Sequence, residues 1–270
     1  AYANDVIVDA EGRTLEVRDA RMGTRLFHVT TGGPLFGAPS VADDQIFQGS
    51  MDGVVYTFGL GRRAMSTEAT CLTPSAGRAP IPDPLTPFYY DVAISADSRP
   101  TSANFDGGGG SYSARALALS GIVPGRTFTC DGATFRWPRA APGKPDNVVA
   151  QGQIIPFSGQ AVGSALAFLG AATGGPSIGV GHIRYHDGRI EPFYLGLSDW
   201  TFNGLDDGRP AYRNRIVAVM PYGNRQQKTV PTYVFYAKIP VRHGQSITSI
   251  TLPRAANQGL LHLFAIAVKR

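Results

Sequence analysis

Along residues 5–60, apolar and polar positions alternate in short runs, and the gaps between them carry Gly or an acidic residue. The runs are DVIVDA, TLEVRDA, TRLFHVTT, APSVADDQIFQGS and VVYTFGL, separated by EGR, RMG, GGP and MDG. A period of two places successive side chains on opposite faces, so the pattern predicts half-buried β-strands joined by tight turns. DVIVDAEGRTLEVRDA and DQIFQGSMDGVVYTFG both read strand, acidic-Gly turn, strand. They lie about 40 residues apart, the spacing of a four-stranded propeller blade. Residues 61–87 lose the alternation and hold Pro74, Pro80, Pro82, Pro84 and Pro87, which predicts a stiff linker.

Over residues 88–270 the alternation returns. Strand candidates are FYYDVAIS, GRTFTCDGATFRWP, NVVAQGQIIPF, SALAFLGAA, SIGVGHIRYHDGRIEPFYLGLSDW, RIVAVMPYG, TYVFYAKIPV, QSITSITLP and LHLFAIAVK. One short helix is expected at roughly 112–120, and IRYHDGRIEPFYL reads as a hairpin turning at Asp187–Gly188. The prediction is an all-β protein: an antiparallel β-sandwich or jelly roll preceded by about one propeller-like blade.

Composition supports a packed chain of this class. The 43% hydrophobic share supplies a core, Gly (33) and Pro (20) supply turns, and charged residues are only 17%. The net charge of +5 comes from scattered cations without interleaved aromatics, which argues against nucleic acid and allows attraction to acidic polymers or cell envelopes. No apolar run reaches the length of a membrane span. The opening AYANDVIVDAEG already reads as folded sequence, as in a processed or trimmed chain. Cys71 and Cys130 belong to no metal-binding spacing and form either one disulfide or two thiols.

Two resemblances add to this reading. The stretch RTLEVRDARMGTRLFHVTTGGPLFGAPSVADDQIFQGSMDGVVYTF is similar to a quinoprotein-type propeller repeat. Asp19, Gly23, Phe27, Gly32, Gly33, Pro34, Pro39, Val41, Asp43, Gly49, Ser50, Asp52, Gly53 and Tyr56 fall in step with it, Phe27 standing where tryptophan is usual. One blade cannot bury both faces, so the segment either packs on the second half or ends a larger propeller. Residues 88–270 resemble the galactose-binding-like or jelly-roll sandwich modules carried by secreted actinobacterial glycoside hydrolases. NFDGGGGSYSARAL, GATFRWP, GKPDNVVAQGQIIPF, LAFLGAATGGPSIG, YLGLSDW, YRNRIVAVMPYGN, YVFYAKIPVRHGQSITSITLP and LHLFAIAV carry that resemblance in order. Gly223 departs from it in MPYGNR, where arginine is expected.

The chemistry on offer is that of a binding module. Asp199–Trp200 precedes the polar loop TFNGLDDGRP, where a tryptophan either stacks on a sugar or covers the end of the core. Trp137 is the second such platform. Tyr212, Asn214, Tyr222, Asn224 and Arg225, with Arg213, supply donors and aromatics of the kind that line saccharide pockets. Asp97 and Asp106, or Asp206–Asp207, are candidate calcium ligands, of the kind the resembled sandwiches often hold. No carboxylate pair insists on glycosidase chemistry, and no G-x-S-x-G elbow occurs. The glycines in NFDGGGGSYS lack the Lys-Ser/Thr of a phosphate loop. The expectation is a non-catalytic, secreted carbohydrate-binding or accessory module, with a carbohydrate or cell-envelope polysaccharide and an upstream propeller or catalytic domain as partners. The alternatives are a purely structural domain or a fragment of a quinoprotein-type oxidoreductase.

Overall fold

A computed structural model describes residues 1–3, 6–42, 45–59, 73–74, 83–202, 209–224 and 230–269. The chain divides into two compact units, Ala1–Ser66 and Thr67–Arg270.

The first unit is two antiparallel meanders. Strands β1 (Tyr2–Ala3), β2 (Val6–Glu11), β3 (Thr14–Asp19) and β4 (Arg25–Thr30) form one sheet in sequence order. Strands β5 (Leu35–Ala42), β6 (Gln45–Ser50) and β7 (Val55–Gly59) form the other. APSVADDQIFQGS is therefore two strands, not one. The inward positions of the alternation, Val8, Leu15, Val17 and Ile46, are buried together and flanked by Val29, Leu35, Val41 and Phe58. The residues in step with the propeller repeat also meet locally. Asp52 Oδ2 accepts from the Tyr56 hydroxyl at 2.7 Å, and the Tyr56 hydroxyl oxygen in turn accepts from Gly32 N at 2.9 Å. A side chain at Gly33 would come within 2.9 Å of Asp52 N, so only glycine fits that approach.

In the second unit, β8 (Thr73–Pro74) lies inside the stretch expected to be a linker, most of which falls outside the described residues. It is followed by β9 (Ile94–Ser95), β10 (Ser111–Ser113) and helix α1 (Ala114–Leu119). Next come β11 (Thr127–Cys130), β12 (Ala133–Arg136), β13 (Val148–Val149), β14 (Ile154–Val162) and β15 (Ala165–Thr173). Then β16 (Ser177–Tyr185), β17 (Ile190–Leu197), β18 (Arg215–Met220), β19 (Gly223–Asn224), β20 (Thr232–Pro240), β21 (Ser246–Thr251) and β22 (Leu260–Lys269) complete the unit.

A five-stranded sheet ordered β13-β22-β15-β20-β18 faces a four-stranded sheet ordered β14-β21-β16-β17. Ile183, Phe193, Leu195, Ile247 and Ile250 from the smaller sheet meet Leu166, Phe168, Leu263 and Ile266 from the larger one. Leu85, from the end of the expected linker, is fully buried in this core. β16 alternates buried and open positions because its second face meets solvent, whereas ALAFLGAAT in β15 is buried throughout. That strand has a second core on its other side, built from Phe105, Tyr112, Phe128, Phe135, Trp137, Trp200 and Phe264. Burying each of these large side chains contributes about 1.5–3 kcal/mol.

GRTFTCDGATFRWP, expected as one strand, is a hairpin of β11 and β12 turning at Asp131–Gly132. Both turn residues are left-handed (φ 47° and 78°), as a two-residue turn of the twist-matched kind requires. β8 pairs with the outer edge of β11. Cys130, at the end of β11, is disulfide-bonded. The chain's one other cysteine, Cys71, lies outside the described residues.

Candidate functional site

A short three-stranded sheet ordered β19-β10-β9 brings three of the expected site residues together. β9 and β10 run parallel, pairing Ser113 with Ser95, and β19 adds antiparallel, pairing Ser111 with Asn224. The connection between β9 and β10 (residues 96–110) ends in NFDGGGG. Asp106 Oδ1 accepts from Gly108 N and Gly110 N at 2.9 and 2.7 Å, and Asn104 Oδ1 accepts from Gly109 N at 2.7 Å. Gly107 and Gly109 are left-handed, so the run is a self-bonded turn. Asp106 Oδ1 is thus engaged by its own loop.

The loop delivers the chain to Ser113, whose hydroxyl accepts from Ala116 N at 3.0 Å and caps α1. The same hydroxyl donates to Asp97 Oδ1, while the Tyr222 hydroxyl donates to Asp97 Oδ2 at 2.8 Å. Asn224 Nδ2 donates to Ser95 Oγ at 2.8 Å and to Ser95 O at 3.2 Å. Ser95 and Ser111 hydroxyls lie 2.8 Å apart. Ser95, Ser111 and Ser113 are fully buried, whereas Asp97 and Tyr222 are half-buried at the rim.

Partial burial pushes the Asp97 carboxyl up. Hydrogen bonds from Ser113, Tyr222 and Asn224, together with the Arg115 charge, outweigh it and hold the group below the usual carboxylate range. Two buried oxygens nearby, Asn224 Oδ1 and Thr232 Oγ1, have no hydrogen-bond partner among the described residues. Gly223 joins them: a side chain there would meet Ser111 O and Thr232 Cγ2, each at 2.9 Å. The absence of a larger residue at position 223 is therefore a packing requirement of this sheet. The two acceptors are enclosed by the protein, and Asp97 and Tyr222 are the half-buried groups beside them.

The other expected residues lie elsewhere. Trp200 is 2% exposed, its ring edge-on to Phe105 and Tyr112 with centroids 5.3 and 5.2 Å away. It is core and offers no face for stacking, because Trp200 N bonds Ala172 O and draws the residue onto the large sheet. Trp137 is likewise buried, stacked on Phe264 at 4.7 Å. Asp199, also buried, accepts from Gly175 N at 2.9 Å and from Thr201 N and Oγ1 at 2.8 Å, which is a strand-end cap. Asn214 bridges Ser198 N and Gly196 O at 2.7 and 3.0 Å. Tyr212 lies on the open face of the small sheet, 41% exposed. Arg225, Asp206 and Asp207 lie outside the described residues.

Among the described residues no group of three or more His, Cys, Asp or Glu is placed to hold a metal ion. No described helix is long and apolar enough to cross a membrane. Ser95, Ser111, Ser113 and Thr232 escape sequence reasoning. The one local signal is SYSARAL, a serine directly before a helix-forming run.

Residues 82–270 match a family model described as an AziU2-like beta-sandwich domain. No curated protein matches the chain.

Proposed function

From the premise that the chain belongs to the AziU2-like beta-sandwich domain family, we propose that its second unit is a non-catalytic module that binds a carbohydrate at the Asp97–Ser113–Tyr222 cluster. The observation that carries this reading is the half-buried carboxylate of Asp97, fixed by hydroxyls from β10 and from the β18–β19 junction beside the orphan Asn224 Oδ1. Sugar hydroxyls are the donors that such an acceptor set recognises, and Tyr222 takes the aromatic role that Trp200 cannot. The disulfide at Cys130 supports an exported protein, since oxidising compartments are where such bonds persist. In the first unit, two sequential meanders packed face to face support the propeller-repeat reading and an upstream partner of the same architecture.

Glycan-array binding of the whole chain tests the proposal, with Asp97→Asn and Tyr222→Phe as variants. The expected result is binding that falls about tenfold or more in each variant, measured at a temperature where each variant is still fully folded. Binding unchanged in both variants, or no glycan bound by the folded protein, overturns it.

A purely structural role is the second reading. It is supported by Asp199, Asn214 and Trp200, whose polar and aromatic groups are all engaged by their own chain.

A further inference from the structure

At the Asp131–Gly132 turn, three cations from three strands converge on one carboxylate. Lys238 Nζ on β20 lies 2.8 Å from Asp131 Oδ2, and Lys269 Nζ on β22 lies 3.1 Å from the same oxygen. Arg215 on β18 brings a guanidinium nitrogen within 3.6 Å of Oδ1. The Tyr236 hydroxyl also reaches Oδ2, at 3.3 Å. The turn that presents Asp131 is rigid: both its residues are left-handed, and Cys130 beside it is disulfide-bonded.

One carboxylate cannot neutralise three cations, so the cluster carries a formal surplus of two positive charges. Asp131 Oδ2 already meets two ammonium groups and a hydroxyl, and it has little left to give. An ammonium has three N–H donors and a guanidinium five. The three side chains are 42%, 25% and 55% exposed for Lys238, Lys269 and Arg215, so an incoming group can reach them. Gathering like charges raises the energy of the empty protein, and an anion from outside relieves it. Holding a turn in place would need only one of the three.

We infer that Arg215, Lys238 and Lys269 form a second subsite, which takes the acidic groups, carboxylate or sulfate, of a polysaccharide. Charge complementarity argues for the acidic group, and the polysaccharide half of the inference rests on the carbohydrate reading above. Asp131 positions the cations and tunes their net charge, and the ligand completes the neutralisation.

Affinity electrophoresis of the whole chain tests this, in gels holding polygalacturonate, dextran sulfate or neutral dextran. The wild type is expected to be retarded more by an acidic polymer than by dextran, with retardation fading as NaCl rises from about 0.05 to 0.5 M. Whether the carboxylate or the sulfate polymer retards it identifies the preferred group. Arg215→Gln with Lys238→Gln is expected to weaken acidic binding about tenfold. Asp131→Asn, which raises the surplus charge while removing a stabilising partner, is expected to bind more tightly and melt lower. A purely structural cluster gives the lower melting temperature without the tighter binding, and that result overturns the inference. So does retardation by acidic polymers that is no greater than by dextran, or double-variant binding equal to the wild type. Duplex DNA competing as well as the acidic polysaccharides also overturns it. The Asp97→Asn variant keeps the two readings apart, because its failure on neutral glycans leaves acidic retardation at this turn unchanged.

Discussion

The ring of Tyr212 lies directly against Gly196, so that a methyl group at position 196 would overlap the ring's Cγ and Cδ2. Tyr212 and Arg213 both adopt left-handed backbone (φ 52° and 56°), a conformation that costs energy in non-glycine residues. The strain holds an aromatic ring on the open face of the small sheet, beside Ile178, which pairs with Gly196 across the strands. Gly196→Ala is expected to lift the ring and lower stability by about 1–3 kcal/mol. Urea unfolding measures the loss, and an unchanged midpoint would show that the ring moves freely.

Ser113 serves two partners with one hydroxyl, the amide of Ala116 and the carboxylate of Asp97. Ser113→Ala removes both the helix cap and a hydrogen bond inside a fully buried group. The expected cost is about 1–2 kcal/mol. Losing that donor also raises the pKa of Asp97, which an NMR titration of its carboxyl carbon would follow.

Stability should fall as the solution turns from mildly acidic to mildly basic. Burial lifts the carboxyls of Asp83 and Asp146 to about 7, against 3.8 for the free side chain. Between those values the folded chain holds protons that the unfolded chain has released. Their contribution is therefore complete below the unfolded value and lost as pH rises through about 7. Asp97 and Asp131 are shifted downward, so their contribution is lost only in acid, below the window in question. The urea midpoint at pH 5.5 is expected to exceed that at pH 8. Asp83→Asn removes one of the two titrating groups and is expected to flatten the slope.

Reduction gives a separate test of the hairpin. Breaking the disulfide at Cys130 is expected to cost about 2–5 kcal/mol and to lower the melting temperature. Differential scanning calorimetry with and without reductant reads the shift, and Cys130→Ser should reproduce it. Equal melting under both conditions would contradict a stabilising bond.

The class of the fold was legible because alternation is local. Each strand carries its own inside and outside, and β16 shows that pattern plainly. The Asp131–Gly132 turn was missed: Asp-Gly between apolar runs favours a hairpin, but the continuous run of β-formers around it reads as one strand. The site was harder to read. Tyr222 and Asp97 are 125 residues apart, and Asn224 and Ser95 are 129 apart, joined by a parallel strand pairing that no local pattern announces. Trp200 misleads for the same reason. LSDW before a polar loop looks like a rim, but the bond from Trp200 N to Ala172 O depends on β15, a distant strand.

The place of β22 in the large sheet bears on how the protein is made. It fills the gap between β13 and β15, and its His262 joins Asn147 to Thr173 with both ring nitrogens, each contact 3.1 Å long. Among the described strands β22 comes last in the chain, so β15 gains this neighbour after its others. Until then β15 exposes a long apolar edge with unpaired amides and carbonyls, which invites pairing with other chains. The unit must stay apart from its neighbours until Leu260–Lys269 is free to insert, so deleting that strand is expected to yield aggregate rather than a weakened domain.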